Sequence, residues 1–419
     1  MKNSVFNHIV IKNNTILIFN TKTQALIEFD QETLEKYNHN ELNDEDKRTL
    51  QKYGFMVEDD TNELMQLQQK RKEYVENKKA LDLTVMVTDA CNFRCPYCYQ
   101  LHSIHNMTTE AADSLKKFIV KKKDSDISEI NIHWFGGEPL LNTQPIFEIE
   151  DILLREGYRG KSSITTNGYL ITDDLLRRIK EKTRIHTLQI TLDGIKEQHD
   201  KTRILSSGKG TYDTIVKNIK KTTEYGINVI IRINLTKQNK DLDQFLKSIK
   251  EMNLDEKRYT IHFTNAHDFD NSVQIDNFYF ESPIEYSSAY AAAQDSFMKE
   301  NRVFPINAVK KCGCKFEASN TFLVGFDLKL YFCSSCECTD FFEQGHICSD
   351  GTLFLNNNYK KRFEYSPFDD EECMNCLVLP MCMGGCTYCH LKGKKFCIPE
   401  KFVLDDFIVR LYNQKMNRR

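Results

Sequence analysis

The chain has 419 residues, with 57 Lys and Arg against 60 Asp and Glu for a formal net charge of −3. It shows no long basic run or basic-aromatic patch able to track a phosphate backbone, which argues against a nucleic-acid partner. No window approaches the roughly 20 apolar residues that span a bilayer, so a cytoplasmic protein without membrane contact is expected, and in that reducing compartment fifteen cysteines point to metal ligation rather than disulfides.

From the N-terminus, HIVIKNNTILIFN predicts two strands about a polar turn at Lys12 to Asn14, and TQALIEFD a third. Three helical segments follow: QETLEKYN, DEDKRTLQKYG ending at Gly54, and TNELMQLQQKRKEYVENKK, with the short FMVEDD between the last two. This β-then-α module, residues 1–78, resembles the small winged-helix domains that bind leader peptides in peptide-modifying enzymes. A plain N-terminal cap on the next domain is the other reading.

From Leu81 onward strand and helix alternate. Apolar runs at LDLTVMVT, EINIHWFGG, SSITTNG, TLQITLDG, INVIIRINLT and RYTIHFTNA are separated by helical stretches such as EAADSLKKFIVKKK and DDLLRRIKEK. Parallel βα repetition over 79–304 makes either a doubly wound sheet or a barrel, and in both the ligands gather at the carboxyl ends of the strands. Beyond residue 305 the periodicity fades while cysteine and glycine rise. Residues 305–400 are therefore expected to form a small cluster-stapled domain, followed by a closing helix within 401–419.

The chemistry sits directly after the first of these strands. In TDACNFRCPYCYQ, Cys91, Cys95 and Cys98 form a CxxxCxxC run, and three thiolates at this spacing hold three irons of a four-iron cluster while leaving the fourth without a protein ligand. Structural zinc prefers four closed ligands in two separated pairs, which the solitary triple suits poorly. The next strand ends in HWFGGEPLL, where Gly136 and Gly137 let backbone approach a ligand and Glu138 can pair with a cationic group.

These motifs resemble the radical S-adenosylmethionine (radical SAM) superfamily. The resemblance implies a partial (β/α)6 barrel and a cluster whose open iron chelates S-adenosylmethionine. It implies that one electron then yields a 5′-deoxyadenosyl radical, with the electron coming from a donor such as flavodoxin or ferredoxin. By the same resemblance Tyr97 packs near the adenine, Gly136, Gly137 and Glu138 meet the cofactor's amino group, and Asn167 and Thr191, at the ends of ITTNG and ITLDG, bind its ribose or carboxylate. Arg203, in DGIKEQHDKTRILSSGKGTYD, faces that carboxylate; turn capping and a solvated arginine are the structural alternatives.

Near the C-terminus, Cys373, Cys376, Cys382 and Cys386 form CxxCx5CxxxC, with Cys397 beyond and with Cys312, Cys314 and Cys333 upstream. The layout resembles the SPASM extension with two auxiliary four-iron clusters, making three clusters in all. By that pattern Cys314 (or Cys312), Cys333 and Cys386 serve the first, and Cys373, Cys376, Cys382 and Cys397 the second. Leu328 stands where the family places glycine, and Cys336, Cys338, Cys348 and Cys389 have no assigned role.

Three functions fit these expectations. The leading one is a maturase that installs an intramolecular crosslink, a thioether or a carbon–carbon bond, in a ribosomally made precursor peptide carrying a leader segment. An anaerobic sulfatase-maturating enzyme that makes formylglycine is the alternative, although its group carries an Asp after an auxiliary cysteine where Ser334 follows Cys333. A non-catalytic metal-binding scaffold would leave the GGEP motif and Arg203 without purpose. No acid or base is singled out.

Overall fold

Several helices start where a short polar side chain caps the first free amides: Asp30, Asn43, Asn62, Thr108 and Thr172 each accept from a backbone N–H within the following turn. The computed structural model describes residues 1–12, 14–76, 79–100, 103–125, 127–266, 277–300, 313–335 and 342–416. Cys312, Cys336 and Cys338 lie outside these. The chain forms two units, one of Met1–Glu76, Glu281–Cys314 and Tyr365–Arg419, the other of Asn77–Phe280 and Lys315–Glu364.

In the first unit β1 (Lys2–Asn3) is short, while β2 (Asn7–Lys12), β3 (Thr15–Asn20) and β4 (Leu26–Phe29) make an antiparallel sheet in which Lys12 pairs with Thr15, as the polar turn predicts. β5 (Met56–Val57) pairs with β1. Strand residues alternate between faces, and here both faces are covered. Ile16 and Ile18 pack on Leu34, Tyr37 and Leu50 from the module's own helices and on Phe55 just before β5. Leu17 and Phe19 pack on Val378, Met381, Phe407, Ile408 and Leu411. The N-terminal module thus shares a core with the C-terminal cysteine block and with the helix Leu404–Met416.

The second unit holds six parallel strands, β6 (Ala80–Met86), β7 (Glu129–Phe135), β8 (Ser162–Thr166), β9 (Ile185–Thr191), β10 (Asn228–Leu235) and β11 (Tyr259–Asn265), hydrogen-bonded in chain order. The order never reverses and β6 does not pair with β11, so the sheet is an incomplete barrel and not a doubly wound sheet. Beyond β6 it continues through β12 (Thr321–Val324), parallel to β6, into the antiparallel β13 (Lys329–Tyr331), β14 (Glu343–Ile347) and β15 (Leu353–Leu355). Leu328, before β13, has φ +66°, a left-handed conformation that glycine adopts without strain.

The barrel strands alternate in character. Ile130, Ile132, Trp134, Ile164, Leu188, Ile190, Ile231 and Ile233 are buried, whereas the intervening His133, Thr165, Gln189, Thr191 and Arg232 are mostly polar and line a cavity.

Candidate active site

The three thiols come from the loop after β6, which neighbouring backbone holds on two sides. Arg94 donates from its amide to the Ile204 carbonyl (2.9 Å) and Ser206 to that of Asn92 (2.9 Å). From the turn after β7, the Gly137 amide donates to the Thr88 carbonyl (3.0 Å) and the Glu138 amide to that of Ala90 (2.8 Å). A Cβ on Gly136 would lie 2.3 Å from the Thr88 oxygen, and one on Gly137 2.3 Å from that of Ala90. Only glycine permits this approach, so the GG pair seats the cysteine loop as well as bordering the cavity.

A cavity of about 280 Å³ opens at the carboxyl ends of the strands, lined by Cys91, Cys95, Cys98, Tyr97, Gly136, Gly137, Asn167, Thr191 and Arg203 among others. Residues far apart in sequence are thereby brought to one cavity. Burial pushes the thiols of Cys91 and Cys95 up to about 11 and raises that of Cys98, so as plain thiols they are poor nucleophiles, and metal binding would displace their protons to solvent. Among the described residues no three His, Cys, Asp or Glu side chains meet at the point a single metal ion occupies; a cluster takes one thiolate per iron.

Glu138 lies behind the wall, with no exposure. Its carboxylate accepts from the Thr166 hydroxyl (2.7 Å) and from the amides of Asn167 (2.7 Å) and Leu140 (3.0 Å). Tyr97 is locked from both ends: its hydroxyl donates to Asp193 and accepts from Arg203 Nη1 (2.9 Å), while its ring stacks on Phe278 at 5.4 Å. Asp193 also accepts from the Asn234 amide (2.8 Å) and stands 3.8 Å from Arg203. The Arg203 Nε is buried with no partner among the described residues, which leaves one charged donor for an anionic ligand. Asn167 donates from Nδ2 to Asn92 Oδ1 (2.7 Å). No Asp or Glu is among the described lining residues, whereas Arg203, Arg232 and Lys315 are. Asp193 lies in the ITLDG motif, whereas His133, Arg232 and Lys315 escape sequence motifs; the signal available for His133 and Arg232 was a polar residue at every second position of strands that pack helices.

Residues 85–251 match the profile of the Radical SAM superfamily. The chain carries a radical SAM domain. A cysteine-type anaerobic sulfatase-maturating enzyme of Clostridium novyi (strain NT) is 27% identical over 323 residues, 71% of this chain and 84% of that protein. A GTP 3′,8-cyclase of Clostridium botulinum is 24% identical over 291 residues, 65% and 79% of the two chains. Among solved structures, anSMEcpe with bound AdoMet superposes with a TM-score of 0.61 at 19% identity, covering 81% of this chain and 98% of the other. Streptococcus suis SuiB bound to the precursor peptide SuiA gives 0.55 at 16%, covering 95% and 98%. These two likenesses show that the chain shares the fold of anSMEcpe and SuiB.

Outside the radical SAM domain, Cys373, Cys376, Cys382 and Cys397 all belong to the first unit. Cys373 follows its Asp370 cap in the helix Glu371–Met374, Cys382 ends the helix Leu379–Cys382, and Met383, Gly384 and Gly385 then take positive φ. Cys373 and Cys376 pack against Phe6, Leu67 and Leu379, and Lys401 Nζ donates to Cys397 Sγ at 3.6 Å. Cys314 and Cys386 belong to the same unit, Cys333 to the barrel unit. No described cysteine is in a disulfide, and among the described residues no helix is long and apolar enough to cross a membrane.

Proposed function

We propose that the protein is a cytoplasmic radical SAM/SPASM maturase that installs an intramolecular crosslink, a thioether or a carbon–carbon bond, in a ribosomally made precursor peptide. The observation that carries this reading is the shared core of the N-terminal module and the second cysteine block. The likeness to SuiB, a protein solved with a precursor peptide, supports it. That likeness covers 95% of this chain, which leaves too few residues for the module to lie outside it. A leader-binding module built into the enzyme is what a precursor-specific maturase needs.

When bound, a four-iron cluster on Cys91, Cys95 and Cys98 together with S-adenosylmethionine supplies a 5′-deoxyadenosyl radical that takes a substrate hydrogen. The chain's own groups prepare the place. Gly136 and Gly137 border it with bare backbone, Asn167 and Thr191 add polar side chains at two strand ends, and Arg203 offers its Nε to an anionic group. Glu138 holds the β7 and β8 ends together from behind, and the Tyr97–Asp193–Arg203 contacts fix the wall between the cysteines and β9. A crosslink leaves one electron to be carried away, and Cys314, Cys333 and Cys386, with Cys373, Cys376, Cys382 and Cys397, would hold two auxiliary clusters for that purpose. Flavodoxin or ferredoxin would be the donor to the first cluster.

Formylglycine formation is the second reading, favoured by the 27% identical sulfatase-maturating relative. Against it, the residue after Cys333 is Ser334, which lines the cavity where that group is expected to carry an Asp. Mass spectrometry of a short peptide encoded beside the gene, coexpressed with the enzyme, separates these outcomes. Loss of two hydrogens with thiols consumed identifies a thioether, the same loss with thiols retained a carbon–carbon bond, and loss of cysteine sulfur formylglycine. An unmodified peptide and no 5′-deoxyadenosine from reduced, reconstituted protein would sink both readings and leave the scaffold.

A further inference from the structure

The interior of a parallel barrel is ordinarily filled by branched apolar side chains. Here His133 on β7, Thr165 on β8, Gln189 on β9 and Arg232 on β10 instead line the cavity that the thiols border. The first three are engaged with their neighbours. His133 Nδ1 is 2.8 Å from Ser163 Oγ, its Nε2 is 2.9 Å from Thr165 Oγ1, and Gln189 Nε2 donates to the same hydroxyl at 3.0 Å.

Arg232 differs. Its Nε donates to Asn234 Oδ1 at 3.0 Å, and its two terminal nitrogens have no partner among the described residues. Asp193, at the end of the adjacent strand, is already taken by Tyr97, Asn234 and Arg203, and no carboxylate is among the described lining residues. Lys315 adds a second positive charge from the β6 side, its Nζ 3.3 Å from Thr84 Oγ1. The two cations, after burial itself, hold the His133 imidazole in its neutral form, so His133 adds no third charge. A guanidinium set in a polar cavity with its planar fork open is complementary to a carboxylate, which it binds through two parallel hydrogen bonds. The thiol loop follows β6, with β7, β8 and β9 between it and Arg232, and Arg203 stands on the cysteine side, against Tyr97.

We infer that Arg232 receives a carboxylate of the substrate, so that the peptide residue entering the barrel, or its immediate neighbour, is an aspartate or glutamate. This rests on the reading of the protein as a peptide-modifying enzyme. The other source of the same chemistry is the carboxylate of S-adenosylmethionine, and the test separates the two.

N-acetylaspartate methylamide and its asparagine counterpart are titrated into anaerobically reconstituted holoenzyme, with and without saturating S-adenosylmethionine. The acid is expected to bind about tenfold more tightly than the amide, with the cofactor present as well as absent. That preference disappears in Arg232→Gln and is partly kept in Arg232→Lys. Equal binding of acid and amide to the wild type overturns the assignment, as does a preference that the cofactor abolishes or one undiminished in Arg232→Gln. Release of 5′-deoxyadenosine by the same wild-type preparation reads the parent proposal separately: release without acid preference sinks only the role of Arg232, and no release sinks the enzyme.

Discussion

The carboxylate of Glu138 accepts the backbone amide of Asn167 at 2.7 Å, and this contact ties the turn after β7 to the turn after β8. The other oxygen takes the Thr166 hydroxyl and the Leu140 amide. All three partners donate, so in Glu138→Gln the new NH2 group meets donors and at least one buried amide or hydroxyl loses its acceptor. The expected cost is about 1–3 kcal/mol, read as a lowered denaturation midpoint, together with weaker S-adenosylmethionine binding because Gly136, Gly137 and Asn167 border the cavity. A variant with the wild-type midpoint and affinity would show that the carboxylate holds nothing in place.

Cys95→Ala tests the cluster itself. Removing one corner ligand from the CxxxCxxC set should cost about four irons per chain and abolish all 5′-deoxyadenosine release. Iron bound elsewhere should stay, because Cys373, Cys376, Cys382 and Cys397 belong to the other unit. Wild-type iron content, or zinc in its place, contradicts the assignment.

The parts of this site that were legible in the sequence are those whose chemistry is local. The CxxxCxxC spacing, the GGEP turn and the six apolar runs each declare themselves within a dozen residues, and the runs lie on β6 to β11 as expected. What escaped depends on distant contacts. β12 to β15 are strands of three to five residues, too short for a period to show, and β12 is held by pairing with β6 more than two hundred residues earlier. The helix Thr143–Arg155 was not singled out. The ITLDG motif places Asp193 at a strand end but not what it holds, because its partners, Tyr97, Arg203 and Asn234, come from three other segments. Arg232 and His133 do carry a local signal: parallel strands usually run continuously apolar, and EINIHWF and VIIRINL instead interrupt themselves with polar residues that line the cavity.

His133 gives a pH signature. Burial, with help from Lys315 and Arg232, pulls its imidazole from 6.5 down to about 3. The folded state therefore keeps the neutral ring while the unfolded chain takes up a proton as pH falls through 6.5. Below that value the unfolded state binds more protons, so stability drops as pH decreases, and above it this contribution is fully present. Denaturant midpoints measured across this range should fall more steeply with acid in the wild type than in His133→Gln, which retains hydrogen-bonding capacity toward Ser163 or Thr165 without the titration. Parallel pH profiles would show that the ring is not held neutral.

Deleting the N-terminal module is the obvious test of leader binding, and the structure changes what that deletion reports. Leu17 and Phe19 cover Val378, Met381, Phe407, Ile408 and Leu411, Phe6 and Leu67 cover Cys373 and Leu379, and the Thr21 hydroxyl donates to the Leu377 carbonyl at 2.6 Å. Each apolar side chain so uncovered is worth about 1.5–3 kcal/mol, and a domain's whole stability is only about 5–15 kcal/mol. Removal of residues 1–76 should therefore strip iron from the second cysteine block and expose it to protease, besides lowering peptide affinity. Phe19→Ala isolates the packing effect: its expected cost of about 3–5 kcal/mol falls on the first unit, seen as early loss of auxiliary iron during denaturant titration while the barrel cluster persists. A deletion protein that keeps its full iron content and resists protease would mean the module is an independent appendage, and that the core it shares with the cysteine block contributes nothing to holding the block together.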